Sequence, residues 1–450
     1  MVKICFSQID VEPSHPDLNV ERMLQAIDEA KQNNTDIIIF PEMCIPGYLL
    51  GDTWEQTAFL KDCLSYGEDI IAASQDICII FGNIAVDWDK KNTDGRVRKY
   101  NALYTAYNGK LIKPEKSPYP FVIKTLFPNY REFDDSRYFF SLQSLATELK
   151  LNLNDILSPV KGQELNLGCI LCEDGWSDDY AFAPIDILCQ NYKLDMLINI
   201  SASPYTFGKN NKRHRVFAKQ AKDNNIPLIY VNNIGIQNNG KTIYTFDGSS
   251  TVYDENGNII ATCPAYKAQN NYINLLGNDE YTPLPIPQND DISNIYQALH
   301  YGIKKFLKNI RMQKVIIGIS GGIDSAVASA LYADILGAEN ITLINMPSKF
   351  NSATTKGLSS QLAHNLGCNY AIVPIQEVVD FTVNQFENTD ITHLATNDVH
   401  KVQVSSFVKE NIQARDRSAR ILAGMAASIS GGFTCNANKA ETTVGYSTLY

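Results

Sequence analysis

Two groups of residues in this chain could do chemistry by their types and spacing. The first is Ser320-Gly321-Gly322-Ile323-Asp324-Ser325, set between the apolar run Val315-Ile316-Ile317-Gly318-Ile319 and a helical pattern over 326–336. A strand that turns through glycines into a helix aims backbone N–H groups and a positive helix end at an anion. The glycines let phosphate approach the backbone closely, and Ser320 and Ser325 add hydroxyls. Asp324 makes little sense beside bare phosphate, so a bridging Mg²⁺ is implied. The loop itself matches neither GxxxxGK[ST] nor GxGxxG, which sets it apart from the commonest mononucleotide and dinucleotide loops. The bland alternative is a strand–helix turn that needs small residues.

The second group is spread over the first half. Phe40-Pro41-Glu42 puts a carboxylate at the end of a buried strand, a setting in which it can serve as a general base. Leu171-Cys172-Glu173-Asp174 puts a thiol at the end of another strand, and Lys124 follows a short apolar run. A cysteine near a lysine and served by a carboxylate is an activated nucleophile. Each residue alone also reads blandly, as an inert buried thiol, a salt-bridge partner and a surface charge.

The elements that must position these groups alternate from the first residue. Strands are predicted over 2–9, 36–40, 77–86, 101–107, 168–172, 196–200 and 227–232, with helices over 17–32 and 211–225. A hairpin is predicted over 244–263, turning at Asp254-Glu255-Asn256-Gly257-Asn258. Pro264, Pro283, Pro285 and Pro287 mark 266–291 as a linker between a domain at 1–265 and one at 292–450. The second domain reads as a helix over 292–309, strands at 314–319, 341–346, 370–375 and 433–436, and helices over 354–366 and 405–429. That pattern is a doubly wound parallel sheet of about four strands. The chain stops at Tyr450 inside an apolar-periodic segment, so a fragment of a longer protein is expected.

Composition narrows the function classes. A length of 450 residues requires at least two domains. The formal charge of −10 argues against a general nucleic-acid or anionic-membrane binder. No apolar run is long enough to span a bilayer, and the start, MVKICFSQID, alternates like a strand rather than a signal peptide. The cysteines are scattered through apolar stretches with no two CxxC motifs paired at zinc spacing, which points to a reduced, cytoplasmic protein.

The loop at 320–325 resembles that of the ATP pyrophosphatases, SGGxDS, which adenylate a carboxylate or carbonyl oxygen before a nitrogen or sulfur nucleophile displaces AMP. Met346-Pro347-Ser348-Lys349-Phe350, Glu410-Asn411-Ile412-Gln413-Ala414-Arg415-Asp416-Arg417, Asn438-Lys439-Ala440-Glu441 and Val444-Gly445-Tyr446-Ser447-Thr448-Leu449-Tyr450 look like the synthetase domain of the NAD synthetases. That resemblance implies Mg²⁺ on Asp324 and Glu441, and Arg415, Asn438 and Lys439 near ATP or deamido-NAD. Where that family has Thr-Gly before Asn-Lys, this chain has Asn436-Ala437.

Ile39-Phe40-Pro41-Glu42, Lys124 with Pro128-Asn129-Tyr130, and Cys169 to Trp176 are similar to the three signatures of the nitrilase/amidase superfamily, in its order of Glu, Lys, Cys. Asp247-Gly248-Ser249-Ser250 matches a later element of that superfamily. The fusion resembles the glutamine-dependent NAD synthetase family, which implies an α-β-β-α sandwich followed by an adenine-nucleotide α-hydrolase-like sheet. It further implies a glutaminase triad of Glu42, Lys124 and Cys172, with Tyr48, Tyr130, Glu173, Ser203 and Lys209 around glutamine. ATP, Mg²⁺, glutamine and deamido-NAD are the implied small molecules, and a homo-oligomer the implied assembly. Asp134-Asp135-Ser136-Arg137 departs from the usual Asp-Glu-x-Arg, Asp135 being one methylene shorter than glutamate. Lys209, Lys212, Arg213, His214 and Arg215 read as a solvated helix start. Two other functions fit part of this pattern: an amidase fused to a different adenylating ligase, told apart by its acceptor, and a nucleotide-binding scaffold that makes neither AMP nor glutamate.

Overall fold

Ile37, Ile38 and Ile39 are all fully buried, which a strand achieves only when both its faces are covered. The computed structural model describes residues 1–130, 133–238, 242–277, 279–286, 291–349 and 353–445. Within them the chain forms two compact units, Met1–Gly302 and Ile303–Tyr450.

The first unit begins with β1 (Val2–Gln8), β2 (Ile37–Ile39), β3 (Cys78–Lys91), β4 (Val97–Tyr107), β5 (Lys110–Leu111) and β6 (Val122–Ile123). It continues with β7 (Val160–Gly162), β8 (Leu165–Leu171), β9 (Met196–Ser201) and β10 (Leu228–Asn232). Then come β11 (Ile234–Asn238), β12 (Ile243–Asp247), β13 (Thr251–Tyr253), β14 (Ile259–Thr262) and β15 (Gln269–Leu275). One sheet has the order β15-β1-β2-β3-β4-β5, with β6 on β4, and the other β14-β13-β10-β9-β8-β7.

Side chains alternate between the faces of each strand. Phe6, Ile37 and Ile39 of one sheet meet Leu171, Ile198 and Val231 of the other in a single apolar cluster. Their sequence neighbours Cys5, Ile38, Ile170 and Leu197 join a second cluster with Met23 and Ile27 of the helix Pro16–Gln32 and Phe217 of the helix Lys209–Asn224. The result is the α-β-β-α sandwich predicted for this half, each buried Ile or Leu contributing roughly 1.5–3 kcal/mol. β1, β2 and β3 are mutually parallel, as are β8, β9 and β10, so the carboxyl ends within each set share one edge.

The second unit contains β16 (Val315–Gly318), β17 (Ile341–Asn345), β18 (Asn369–Ile372), an exposed hairpin of β19 (Ile391–His393) and β20 (Asp398–His400), and β21 (Gly432–Phe433). Its four-stranded sheet runs β18-β17-β16-β21, all parallel. The strand order reverses beside β16, the position where ligands bind in open parallel sheets, and the Ser320–Ser325 loop follows β16 directly.

Three expectations change. The segment 266–291 was predicted to be a linker, yet Gln269–Leu275 pairs with β1 over its whole length. Its run of Gln and Asn hides an edge strand in which only Ile273 and Leu275 are buried. The hairpin predicted over 244–263 is two, because β12 pairs back onto β11 while β13 pairs with β14. The helix Gln376–Asn388 and the hairpin after it lie where no element was predicted, and only Val379 of that helix is buried. Phe350, Pro287 and 446–450 lie outside the described residues.

Beyond β2 the chain stays beside β3: Phe40 N donates to the Ile80 carbonyl at 2.8 Å and Cys44 N to that of Gly82 at 3.1 Å. Gly82 is indispensable to that approach. A Cβ there would stand 2.4 Å from Met43 N and 2.6 Å from Glu42 Cα, so backbone must give way. Gly82→Ala should destabilise the unit by about 1–3 kcal/mol, the usual cost of overpacking, read as a lower denaturation midpoint with an unchanged slope. An unshifted midpoint would contradict this packing.

Candidate functional site

Glu42 follows β2, Lys124 follows β6 and Cys172 follows β8, so three strand ends deliver the three residues singled out in the sequence. The Lys124 side chain is fully buried. Its ammonium donates to Glu42 Oε1 at 2.8 Å, Asp135 Oδ2 at 3.1 Å and Tyr48 Oη at 3.2 Å. Glu42 is held on both oxygens, Oε1 also accepting from Asn101 Nδ2 at 2.7 Å and Oε2 from Ala202 N at 2.8 Å. Burial acts to lower Lys124, but Asp135 and Glu42 together raise it well above the ordinary lysine value. The cluster is a preformed ion pair, and Asp135 reaches it despite its shorter side chain.

Cys172 opens a tight turn with φ +41°, a left-handed conformation that costs a non-glycine residue on the order of 1 kcal/mol or more. Asn199 on β9 stabilises that turn: its Oδ1 accepts from Cys172 N at 3.0 Å and its Nδ2 donates to the Cys172 carbonyl at 3.3 Å. Asp174 ties the turn to the segment after Lys124, accepting from Leu171 N at 3.2 Å, Thr125 N at 3.0 Å and Leu126 N at 2.7 Å. Burial raises Asp174 to about 7 against the pull of those three donors. Burial pushes the Cys172 thiol up to about 12, with Glu42 adding to the rise and Lys124 opposing it. The thiol is therefore protonated at rest, beside a carboxylate able to take its proton.

A cavity of about 910 Å³ opens over this turn, lined among others by Tyr48, Tyr130, Cys172, Glu173, Ser203 and Lys209, all predicted from resemblance. Glu173 Oε1 accepts from Tyr180 Oη at 2.7 Å, and Glu173 Oε2 from Tyr130 Oη at 3.2 Å. This leaves a carboxylate in the cavity wall suited to an ammonium group. Lys209 donates to the Pro204 carbonyl at 3.2 Å, and burial, helped by Arg213, holds it below the ordinary lysine value.

The basic run from Lys209 is a solvated helix start only in part, at the exposed Lys212 and Arg215. Arg213 and His214 are buried, Arg213 pairing with Asp247 at 3.1 and 3.2 Å, while Lys212 and Arg215 line the cavity. Asn101, Asn199, Asp174 and Tyr180 were not predicted. Asn199 does leave a signal, a lone amide inside Leu197-Ile198-Asn199-Ile200.

In the second unit, Gly321 takes φ +87° to make the loop turn. Ser320 N donates to Ser325 Oγ at 3.3 Å and Gly322 N to Ser320 Oγ at 3.1 Å, and the loop leads into the helix Ile323–Leu336. Asn438 Nδ2 donates to Asp324 Oδ1 at 3.2 Å, and Glu441 N donates to Asn438 Oδ1 at 2.8 Å while Glu441 Oε2 accepts from Asn438 N at 3.1 Å. One asparagine thus hydrogen-bonds both of the carboxylates predicted to hold the metal. Two carboxylates of this kind suit a hard divalent cation that takes its other oxygens from phosphate and water.

Beside the loop lies a cavity of about 460 Å³ lined by Ser320, Asn345, Met346, Arg417, Thr434 and Asn436, among others. Asn345 Oδ1 and Thr434 Oγ1 are buried there without a partner among the described residues, as a site awaiting a polar ligand would leave them. Arg417 donates through Nε to the Met346 carbonyl at 3.3 Å and lines this cavity, whereas Arg415 and Lys439 are exposed and do not line it. Asn436, which departs from the resembled pattern, donates to the Gly318 carbonyl at the end of β16 at 3.3 Å.

Comparisons with known proteins cover both units. The carbon-nitrogen hydrolase family model matches residues 4–273 and the NAD synthase model residues 295–450. A glutamine-dependent NAD(+) synthetase of Xylella fastidiosa is 27% identical over 455 residues, covering 100% of this chain and 75% of that protein. One from Acinetobacter baylyi is 28% identical over 454 residues, covering 100% and 74%. The solved glutamine-dependent NAD+ synthetase of Acinetobacter baumannii, in complex with ADP, is 25% identical with a TM-score of 0.80, over 100% of this chain and 77% of that one. A glutamine-dependent NAD(+) synthetase from Cytophaga hutchinsonii, 18% identical with a TM-score of 0.75 over 100% and 76%, shares the fold.

The buried basic run makes acid stability measurable. Burial and the neighbouring Arg213 hold His214 down at about 4, below the ordinary 6.5. Between those values the unfolded chain binds a proton that the folded one refuses, so stability falls by about 1.4 kcal/mol per pH unit as pH drops from 6.5 towards 4. His214→Asn should remove that part of the slope in urea unfolding measured across the same range. Parallel profiles for the two proteins would show that His214 is protonated in the fold.

Proposed function

The chain belongs to the carbon-nitrogen hydrolase family over residues 4–273 and carries an NAD synthase domain over 295–450, and from that premise we propose how its residues make NAD from deamido-NAD with nitrogen from glutamine. The activity is that of a glutamine-dependent ligase that forms NAD, with a nitrilase-type glutaminase supplying the nitrogen. The observation that carries the residue roles is the Glu42–Lys124 ion pair beside the Cys172 turn, on the same chain as a phosphate loop whose Asp324 is joined through Asn438 to Glu441.

At the first site Glu42 takes the thiol proton as Cys172 sulfur attacks the side-chain amide carbon of glutamine. Because the thiol is protonated at rest, proton transfer and attack proceed together. Lys124 stabilises the tetrahedral oxyanion from a dry setting, where a fixed charge is worth several kcal/mol. Glu42 passes the proton to the leaving nitrogen, the carbon–nitrogen bond breaks, and ammonia departs from a thioester on Cys172. Water deprotonated by Glu42 then releases glutamate. The Glu173 carboxylate, steadied by Tyr130 and Tyr180, receives the α-ammonium of glutamine, and Lys209 and Ser203 complete the pocket.

At the second site the Ser320–Ser325 loop and the start of the helix Ile323–Leu336 cradle the β,γ-pyrophosphate of ATP. Asp324 and Glu441 would hold Mg²⁺, which when bound would neutralise phosphate charge. Arg417 contributes its guanidinium to the nucleotide cavity, while Arg415, Asn438 and Lys439, which lie outside its lining, are assigned to deamido-NAD by the resemblance alone. The nicotinate carboxylate attacks the α-phosphorus, pyrophosphate leaves, and ammonia displaces AMP. The chain works in the cytoplasm as a homo-oligomer.

Cys172→Ala separates the two reactions. With ATP, Mg²⁺ and deamido-NAD, the variant should form NAD from ammonium at about the wild-type rate and none from glutamine. NAD formation from glutamine by the variant would remove Cys172 from the chemistry. No NAD from either source in the wild-type protein would refute the function itself.

A further inference from the structure

An ammonium has three hydrogens, and Lys124 gives one each to Glu42 Oε1, Asp135 Oδ2 and Tyr48 Oη. The Tyr48 hydroxyl spends its own hydrogen on Asp135 Oδ1 at 2.6 Å. Tyr48 and Asp135 therefore form a closed ring of hydrogen bonds with the lysine, in a site where all three side chains are buried.

Tyr48 is itself pinned. Its backbone N–H and that of Leu49 both donate to Gln237 Oε1, at 2.8 and 2.9 Å. Its ring packs 5.8 Å from that of Phe133, and Lys124 Nζ stands 5.0 Å from the Tyr48 ring centroid. The ring lines the glutamine cavity, but the hydroxyl has no hydrogen left for a substrate. Asp135 is the shorter acid at a place where the resembled pattern has glutamate, and it reaches Lys124 at 3.1 Å, longer than the 2.8 Å of Glu42.

We propose that Tyr48 is a positioning residue: its hydroxyl bridges Asp135 Oδ1 and Lys124, holds the other carboxylate oxygen turned onto the ammonium, and so fixes the ammonium facing Glu42 and Cys172. This deepens the glutaminase reading and rests on it. Tyr48 acts through Lys124 and not by binding glutamine, so its loss lowers turnover and leaves substrate affinity alone.

The test measures glutamine hydrolysis by the full chain for wild type, Tyr48→Phe, Asp135→Glu and the double variant, with thermal unfolding confirming that each folds. Tyr48→Phe should lower kcat about tenfold or more with KM within about threefold of wild type, the split expected when an interaction acts mainly in the transition state. Asp135→Glu in the Tyr48→Phe background should recover most of that loss, because the longer acid extends into the room left by the hydroxyl and accepts the hydrogen that Lys124 gave to Tyr48. A merely structural tyrosine gives no such rescue. The proposal is overturned by an unchanged kcat in Tyr48→Phe, by a loss confined to KM, or by a double variant no faster than Tyr48→Phe. Absence of glutamine hydrolysis in the wild type would instead overturn the underlying function.

Discussion

A lysine ammonium with no exposure to water, held between two carboxylates, is the constraint on which the first unit is organised. Taking such a charge out of water costs several kcal/mol, and only close, well-directed partners offset it. Those partners arrive from separate parts of the chain: Glu42 after β2, Tyr48 six residues further on, and Asp135 beyond β6. Residues inside the sheets finish the work, Asn101 on β4 turning Glu42 and Asn199 on β9 bracketing Cys172. The apolar sandwich thus serves a polar cluster by fixing strand ends within hydrogen-bonding reach.

The same cluster settles the state of the nucleophile. A thiol beside an isolated lysine would ionise readily, because the cation favours thiolate. Here Lys124 is already neutralised by Glu42 and Asp135, and burial dominates, so the Cys172 thiol of the resting protein is held well above the ordinary cysteine value. A resting thiol also resists adventitious oxidation better than a thiolate. In the second unit the loop proposed to hold phosphate is a glycine-rich turn at a helix start, an arrangement that needs no buried charge. Free ammonia takes up a proton at neutral pH and loses the lone pair that the second reaction needs, which is a chemical reason for both units to share a chain.

The alternation of apolar strands and helices was legible in the sequence because buried parallel strands read as runs such as Ile37-Ile38-Ile39, and the phosphate loop because glycines between a strand and a helix have few other uses. The triad was legible only as three separate strand ends plus a resemblance; nothing in the spacing of Glu42, Lys124 and Cys172 places them together. Polar partners were the hardest to see. Asp174, Asn101 and Tyr180 look like ordinary residues until long-range pairing brings them in, and β15 was hidden by its asparagines. Arg213 and His214 were misread because a basic helix start is usually solvated, and the carboxylate that buries Arg213 lies at Asp247, far along the chain. Arg415 and Arg417 are indistinguishable in a motif but take different sides of their helix turn.

The most direct test of this account is the rate of Cys172 alkylation by iodoacetamide as a function of pH, followed at that residue by mass spectrometry in the absence of substrate. A thiol raised to about 12 by burial and by Glu42 should react slowly at neutral pH, with a rate still rising at the alkaline limit of the stable protein. A rate already at its plateau near about pH 7 would mean that the thiolate exists before substrate binds, and would contradict the Glu42–Lys124 arrangement as the resting state.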